Sequence, residues 1–267
     1  MITNRSAADK TTENFKLYGI DFFSACISAV AVAPFIAIID QAVTEKTADK
    51  SISLITSATN NLKTLVFRPA HFLTRPTFLF VCIVYGATYI AANTITTFCE
   101  VNNTDSYWPK MLGTTVVNMG FGIAKDRYFA KVFNKGAPPV FPLISWGLFF
   151  GRDLLTIGAG FNFPKAVSNF LQDKQIIKDS NTANTVTQLG VPMLAQMFLT
   201  PIHVLALDIY NRAGESSRSR FQYIKGIYPE TVSIRMARVL CAYGIAGITN
   251  KNVKSILRKQ FIGDKAL

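Results

Sequence analysis

The chain has 267 residues, of which 49% are hydrophobic and only 16% charged, with 21 phenylalanines and a formal net charge of +12. Soluble domains carry about a quarter charged residues, so the composition argues against an ordinary water-soluble domain, while a mean hydropathy of +0.25 is modest for a membrane protein and predicts amphipathic helices around a polar interior. Four cysteines without metal spacing and only two histidines argue against a metal, haem or disulfide framework, and basic residues scattered between apolar segments fit a membrane beside anionic lipid, or the movement of anions, better than nucleic acid.

Residues 1–16 are polar and lack both a basic amphipathic presequence and an apolar signal region, so an organelle address is expected to be internal. The first apolar segment runs from Leu17 to Val43, with Asp21 its only charge before Asp40. Ser24, Ser28 and neighbouring alanines give it a small-residue face, and Pro34 predicts a kink. Ile52, Leu54, Ile55, Leu62 and Leu65 then recur at helical spacing and predict a short interfacial helix, broken at Arg68-Pro69.

From Pro76 to Cys99 no position carries an acid or base. A helix of that length rises roughly 36 Å, enough to cross a bilayer core of about 30 Å. Asn93, several threonines and Gly86 within it suit a helix packed in a bundle with one face toward a polar interior; the alternative is a buried helix of a large soluble protein. Tyr107 and Trp108 follow, placed like an interface belt. The third segment, Met111 to Val132, carries Gly113, Gly120 and Gly122, and ends in the proline-rich break NKGAPPVFP.

The fourth segment, Leu143 to Phe170, holds Arg152, Asp153, Gly158 and Gly160; charges inside an apolar segment normally face protein or water. The fifth, Leu189 to Tyr210, holds Gln196, Pro201 and His203. A basic linker leads to the sixth, Thr231 to Leu257, with Arg235, Arg238, Gly244 and Gly247. Six segments put both termini on one side and pair into three hairpins. The fourth and sixth echo each other: Arg152 precedes Gly158, and Arg238 precedes Gly244, by six residues. Arg235 lies one turn before Arg238 on the same face.

This pattern resembles the mitochondrial carrier family over nearly the whole chain, best in the stretches AQMFLTPIHVLALDIYNR and SRSRFQYIKGIYPETVSIRMARVLCAYGIAGITN. The resemblance implies an all-α membrane protein, a single carrier-like domain over residues 1–267 with six transmembrane helices in three two-helix repeats (approximately 17–105, 108–180 and 186–262), the middle one shortened. Its matrix gate, Pro-x-acid-x-x-base, is degenerate here: Pro34 and Pro201 remain, His203 replaces an acid, Asp126 keeps one acid, and no base survives. The resemblance further implies a substrate cavity lined by Arg152, Arg235, Arg238, Asn93, Gly158, Gly160 and Gly244, where guanidiniums would attract carboxylates or phosphates. The bland alternative pairs Arg152 with a nearby carboxylate, leaves Arg235 and Arg238 to lipid or backbone, and makes the glycines packing residues.

Two functions follow. Loss of the gate charges favours a carrier-fold accessory subunit of a respiratory or ATP synthase complex in the mitochondrial inner membrane, its termini toward the intermembrane space, with a phospholipid such as cardiolipin bound. The alternative is an active transporter exchanging a small anionic metabolite by alternating access. No enzyme arrangement, cofactor or metal site is legible: there is no Ser-His-Asp, Cys-His or His cluster, and GRDLLTIGAG lacks the spacing of a phosphate loop.

Overall fold

The computed structural model describes residues 7–48, 53–133, 142–212 and 214–263, and no strand occurs among them. The helices are α1 (Ala7–Ala48), α2 (Leu54–Phe67), α3 (Pro69–Leu73), α4 (Pro76–Val101), α5 (Tyr107–Phe133), α6 (Leu143–Ile157), α7 (Phe163–Asp173), α8 (Ser180–Asn211), α9 (Ser217–Leu240) and α10 (Ile248–Ile262). Two π-helical segments, Gly158–Asn162 and Cys241–Gly247, join α6 to α7 and α9 to α10 without a break. The result is six long rods, with α2 and α3 as a short excursion between the first and second.

The rods close into a ring in chain order. α1 packs on α4, α4 on α5, α5 on α6, α6 and α7 on α8, and α8 on α9, while the last rod returns to α1 through α10 and its π-helical segment. The physical reason is visible in α1. Asp21, Ser24, Ala25, Ser28, Ala29, Val32, Ala33, Ile36 and Ala37 are buried, and small side chains at that spacing let neighbours approach closely. Ser24 and Ser28 bond the carbonyls of Ile20 (2.7 Å) and Ser24 (2.6 Å), so their hydroxyls need no outside partner. Pro34 lies inside α1, which continues through it.

Burial is distributed inside out. Asp21, Asp208, Gln196 and Thr200 are buried, while Phe15, Phe23, Val30, Leu143 and Phe198 are exposed. In water that would be costly; in a bilayer it is the expected arrangement. Four stretches are long and apolar enough to cross a membrane: Thr11–Val43, Pro76–Val101, Ser180–Tyr210 and Ser217–Ile262. The chain is a multi-pass helical membrane protein. The third and fourth rods fall short in composition because α5 carries Lys110, Lys125, Asp126, Arg127 and Lys131, and α6 carries Arg152 and Asp153.

Two boundaries differ from the sequence reading. α8 begins at Ser180, capped by the Asp179 carboxylate, which accepts from the Thr182 amide at 2.7 Å. The basic stretch read as a linker is helical from Ser217 onward and continuous with the last apolar segment. It is pinned by Arg220, which pairs with buried Asp208 and donates to the Arg212 carbonyl at 2.9 Å. The break at Arg68-Pro69 is present between α2 and α3. Residues 134–141, which hold most of the connection read as a shortened middle repeat, lie outside the described residues.

Candidate functional site

Three cavities run in series along the inside of the ring. At the end where α1 begins and α10 finishes, a cavity of about 400 Å3 is lined by residues that include Asn93, Lys110, Gly160, Asn250 and Lys251. A central cavity of about 90 Å3 shares Tyr89, Phe161 and Tyr243 with it. A third, of about 260 Å3, shares Asn118, Arg152, Asp153, Arg235 and Arg238 with the central one. The series therefore has one aromatic partition and one charged layer.

The partition takes one ring from each even-numbered rod. Tyr89 comes from α4, Phe161 from the first π-helical segment and Tyr243 from the second. Phe161 sits edge-on to both tyrosines, with centroids 5.7 Å from Tyr89 and 5.5 Å from Tyr243. The Tyr89 hydroxyl donates to the Ala242 carbonyl at 2.9 Å, and the Tyr243 hydroxyl to the Thr156 carbonyl at 3.2 Å. Both carbonyls lie in or just before a π-helical segment. Such segments insert an extra residue per turn, re-aim side chains and recur at functional sites. Gly160 is required by the close approach of Tyr243, because a Cβ there would overlap the tyrosine ring.

The charged layer is asymmetric. Arg152 pairs with Asp153 (3.0 Å) and lies over the Phe149 ring, 5.0 Å from its centroid. The Arg152 Nε is buried without a hydrogen-bond partner. Arg235 donates to the Gln196 side-chain oxygen at 2.9 Å. Arg238 lies 3.4 Å from Asp40, whose other oxygen accepts from Lys125 at 2.7 Å. Among the described residues, four cations and two carboxylates line the inner cavities, a lining that suits a guest carrying a carboxylate.

The residues singled out from the sequence are divided by the fold. Arg152, Arg235 and Arg238 line the two inner cavities. Asn93 and Gly160 line the 400 Å3 cavity, where Asn93 exchanges hydrogen bonds of 2.9 Å with Asn250 and donates to the Asp21 carbonyl at 3.0 Å. Gly158 and Gly244 face packed side chains instead: Phe163 and Met111 for the first, Leu189 for the second. His203 lines the 260 Å3 cavity, its ring 5.5 Å from Phe149. Pro34 and Pro201 are half-buried within α1 and α8, and the side chain of Asp126 lies outside the described residues. Among the described residues an ion pair at the 260 Å3 cavity joins Asp40 and Lys125. Sequence reasoning missed the aromatic partition because Phe161 and Tyr243 do not share a register relative to Gly158 and Gly244.

A family model described as a probable citrulline exporter matches residues 24–258, most of the chain. No curated protein and no solved structure matches. The match overturns the resemblance to the mitochondrial carrier family, for which no family model matches. That resemblance rested on six apolar segments, helix-breaking prolines and small-residue faces, which any ring of helices around a polar interior requires, and on gate motifs that were mostly absent.

Proposed function

We infer a transport function from one premise: the chain belongs to the probable citrulline exporter family. We propose that it moves citrulline or a closely similar amino acid across a membrane, by way of the cavities inside the ring. Such a cargo is a zwitterion with a carboxylate, an ammonium and an uncharged ureido group. Arg152 with Arg235 suits the carboxylate, Asp153 the ammonium, and Asn118, Thr88 and Thr156 the ureido group. Ligand cavities commonly span about 300–1,000 Å3; the two inner cavities together reach the lower end of that range.

The observation that carries this reading is a charged layer beside an aromatic partition, inside a shell whose outer surface is apolar. In the proposed cycle the aromatic partition and the Asp40–Lys125–Arg238 cluster open in turn. All six rods cross the membrane as three antiparallel hairpins, with the cavity-facing charges of the third and fourth rods shielded from lipid. The accessory-subunit role, the mitochondrial inner membrane and a respiratory partner had their support in the carrier resemblance, and the exporter family favours the transporter reading over them.

The test is counterflow of labelled citrulline into liposomes containing the purified protein. Uptake above protein-free liposomes, reduced about tenfold or more by Arg152→Gln, is expected. Background uptake by protein that remains folded would refute the proposal.

A further inference from the structure

The 400 Å3 cavity differs chemically from the inner two. Its ionisable cations are Lys110, Lys165 and Lys251, and no carboxylate lines it. Lys165 and Lys251 are exposed at its mouth, whereas Lys110 is half-buried on α5. The Lys110 ammonium sits 5.1 Å from the centroid of the Phe161 ring, directly on the aromatic partition. Among the described residues none of the three lysines makes an ion pair.

Two carboxylates near this end are already paired. Asp21 is held by Lys254 at 2.6 Å, and Glu100 by Arg258 at 2.9 Å. Lys254 and Arg258 also reach the Thr97 hydroxyl. The remaining polar lining is neutral, including Asn93, Asn184, Gln188 and Asn250. A zwitterion would find no acid here for its ammonium. A group that is anionic only would find three cations and a set of amide donors.

We propose that this cavity is a binding site for a small oxyanion, a carboxylate or a phosphate, with Lys110 as its deep anchor and Lys165 and Lys251 at its entrance. A half-buried ammonium over an aromatic ring is incompletely compensated, and an oxyanion supplies the missing charge. Because an anion would compete with Phe161 for the same ammonium, its binding also loosens one ring of the partition. The site is separate from the citrulline site and does not depend on the identity of that cargo.

The anion has two conceivable sources, a soluble metabolite or a lipid headgroup, and the experiment separates them. Trp108 lies two residues before Lys110 and is exposed, so its fluorescence reports on this end of α5. Purified protein in an uncharged detergent is titrated with succinate and with inorganic phosphate, at constant ionic strength. In parallel it is placed in vesicles of pure phosphatidylcholine or of phosphatidylcholine with phosphatidic acid. A saturable response to a soluble anion identifies a soluble ligand; a response confined to the phosphatidic acid vesicles identifies a headgroup. In either case Lys110→Gln is expected to weaken binding about tenfold and Lys110→Arg to restore most of it. Where Lys110→Gln does not fold, the double substitution Lys165→Gln/Lys251→Gln serves under the same criterion. The proposal is overturned by no saturable response in any arm, or by unchanged affinity in the folded variants. Binding is read without transport, so failure here leaves the citrulline reading standing, and the reverse also holds.

Discussion

Replacing Asp40 by Asn removes the acid that Lys125 and Arg238 share, at 2.7 and 3.4 Å. The Asp40 and Lys125 side chains are 8% and 5% exposed, so the cations left behind cannot simply rehydrate. Removing one partner of a buried pair costs about 3–5 kcal/mol. The Arg238 side chain is 29% exposed and retains some water, which places Asp40→Asn near the lower end, about 3 kcal/mol. For a chain of this size each kcal/mol moves the unfolding midpoint by roughly 2–4 °C, so a fall of roughly 6–12 °C is expected. A thiol-reactive dye reads it directly, since Cys26, Cys82, Cys99 and Cys241 are free and buried or half-buried. Lys125→Met added to Asp40→Asn should recover part of the loss, with a coupling of about 1–3 kcal/mol. A midpoint for Asp40→Asn within about 2 °C of wild type, or strict additivity in the double variant, would refute the claim that this pair fastens its end of the ring.

Gly160→Ala puts a Cβ into the ring of Tyr243; overpacking of this kind costs about 1–3 kcal/mol, read by the same dye assay, and should also slow citrulline counterflow. Asn93→Ala leaves the Asn250 amide without its reciprocal partner and should cost about 1–3 kcal/mol, whereas pairing it with Asn250→Ala should be milder than the sum. At the start of α8, the hydrogen bonds from Thr182 hold the Asp179 carboxyl below its ordinary value of 3.8. The cap is therefore fully effective above pH 3.8 and is lost as the pH falls through the lowered folded value. Protection of the Thr182 amide, taken as its exchange rate relative to the intrinsic rate at each pH, should fall only in that acid window.

By itself the sequence determined the solvent and the element type. Uncharged runs such as Pro76–Cys99, and small residues at helical spacing in α1, require helices in a bilayer around something polar. A break at Arg68-Pro69 was readable because proline restricts the residue before it. Arg152 was conspicuous as a costly charge in an apolar segment, while the grouping of Arg152, Arg235 and Arg238 in one cavity came only with the carrier resemblance. What local chemistry misled was the family: prolines and small residues serve many helical rings, and only a match across residues 24–258 separated one family from another. The helical course of residues 217–230 was also hidden, because it depends on Arg220 reaching Asp208 from another rod. Tertiary structure alone decided which side chains meet. Tyr89, Phe161 and Tyr243 form one partition although they are separated by more than seventy residues at each step, and two π-helical segments aim the last two. Asp40 finds Lys125 across 85 positions. Such meetings depend on how six rods rotate about their axes when the ring closes, and periodicity within one helix carries no information about its rotation relative to the next.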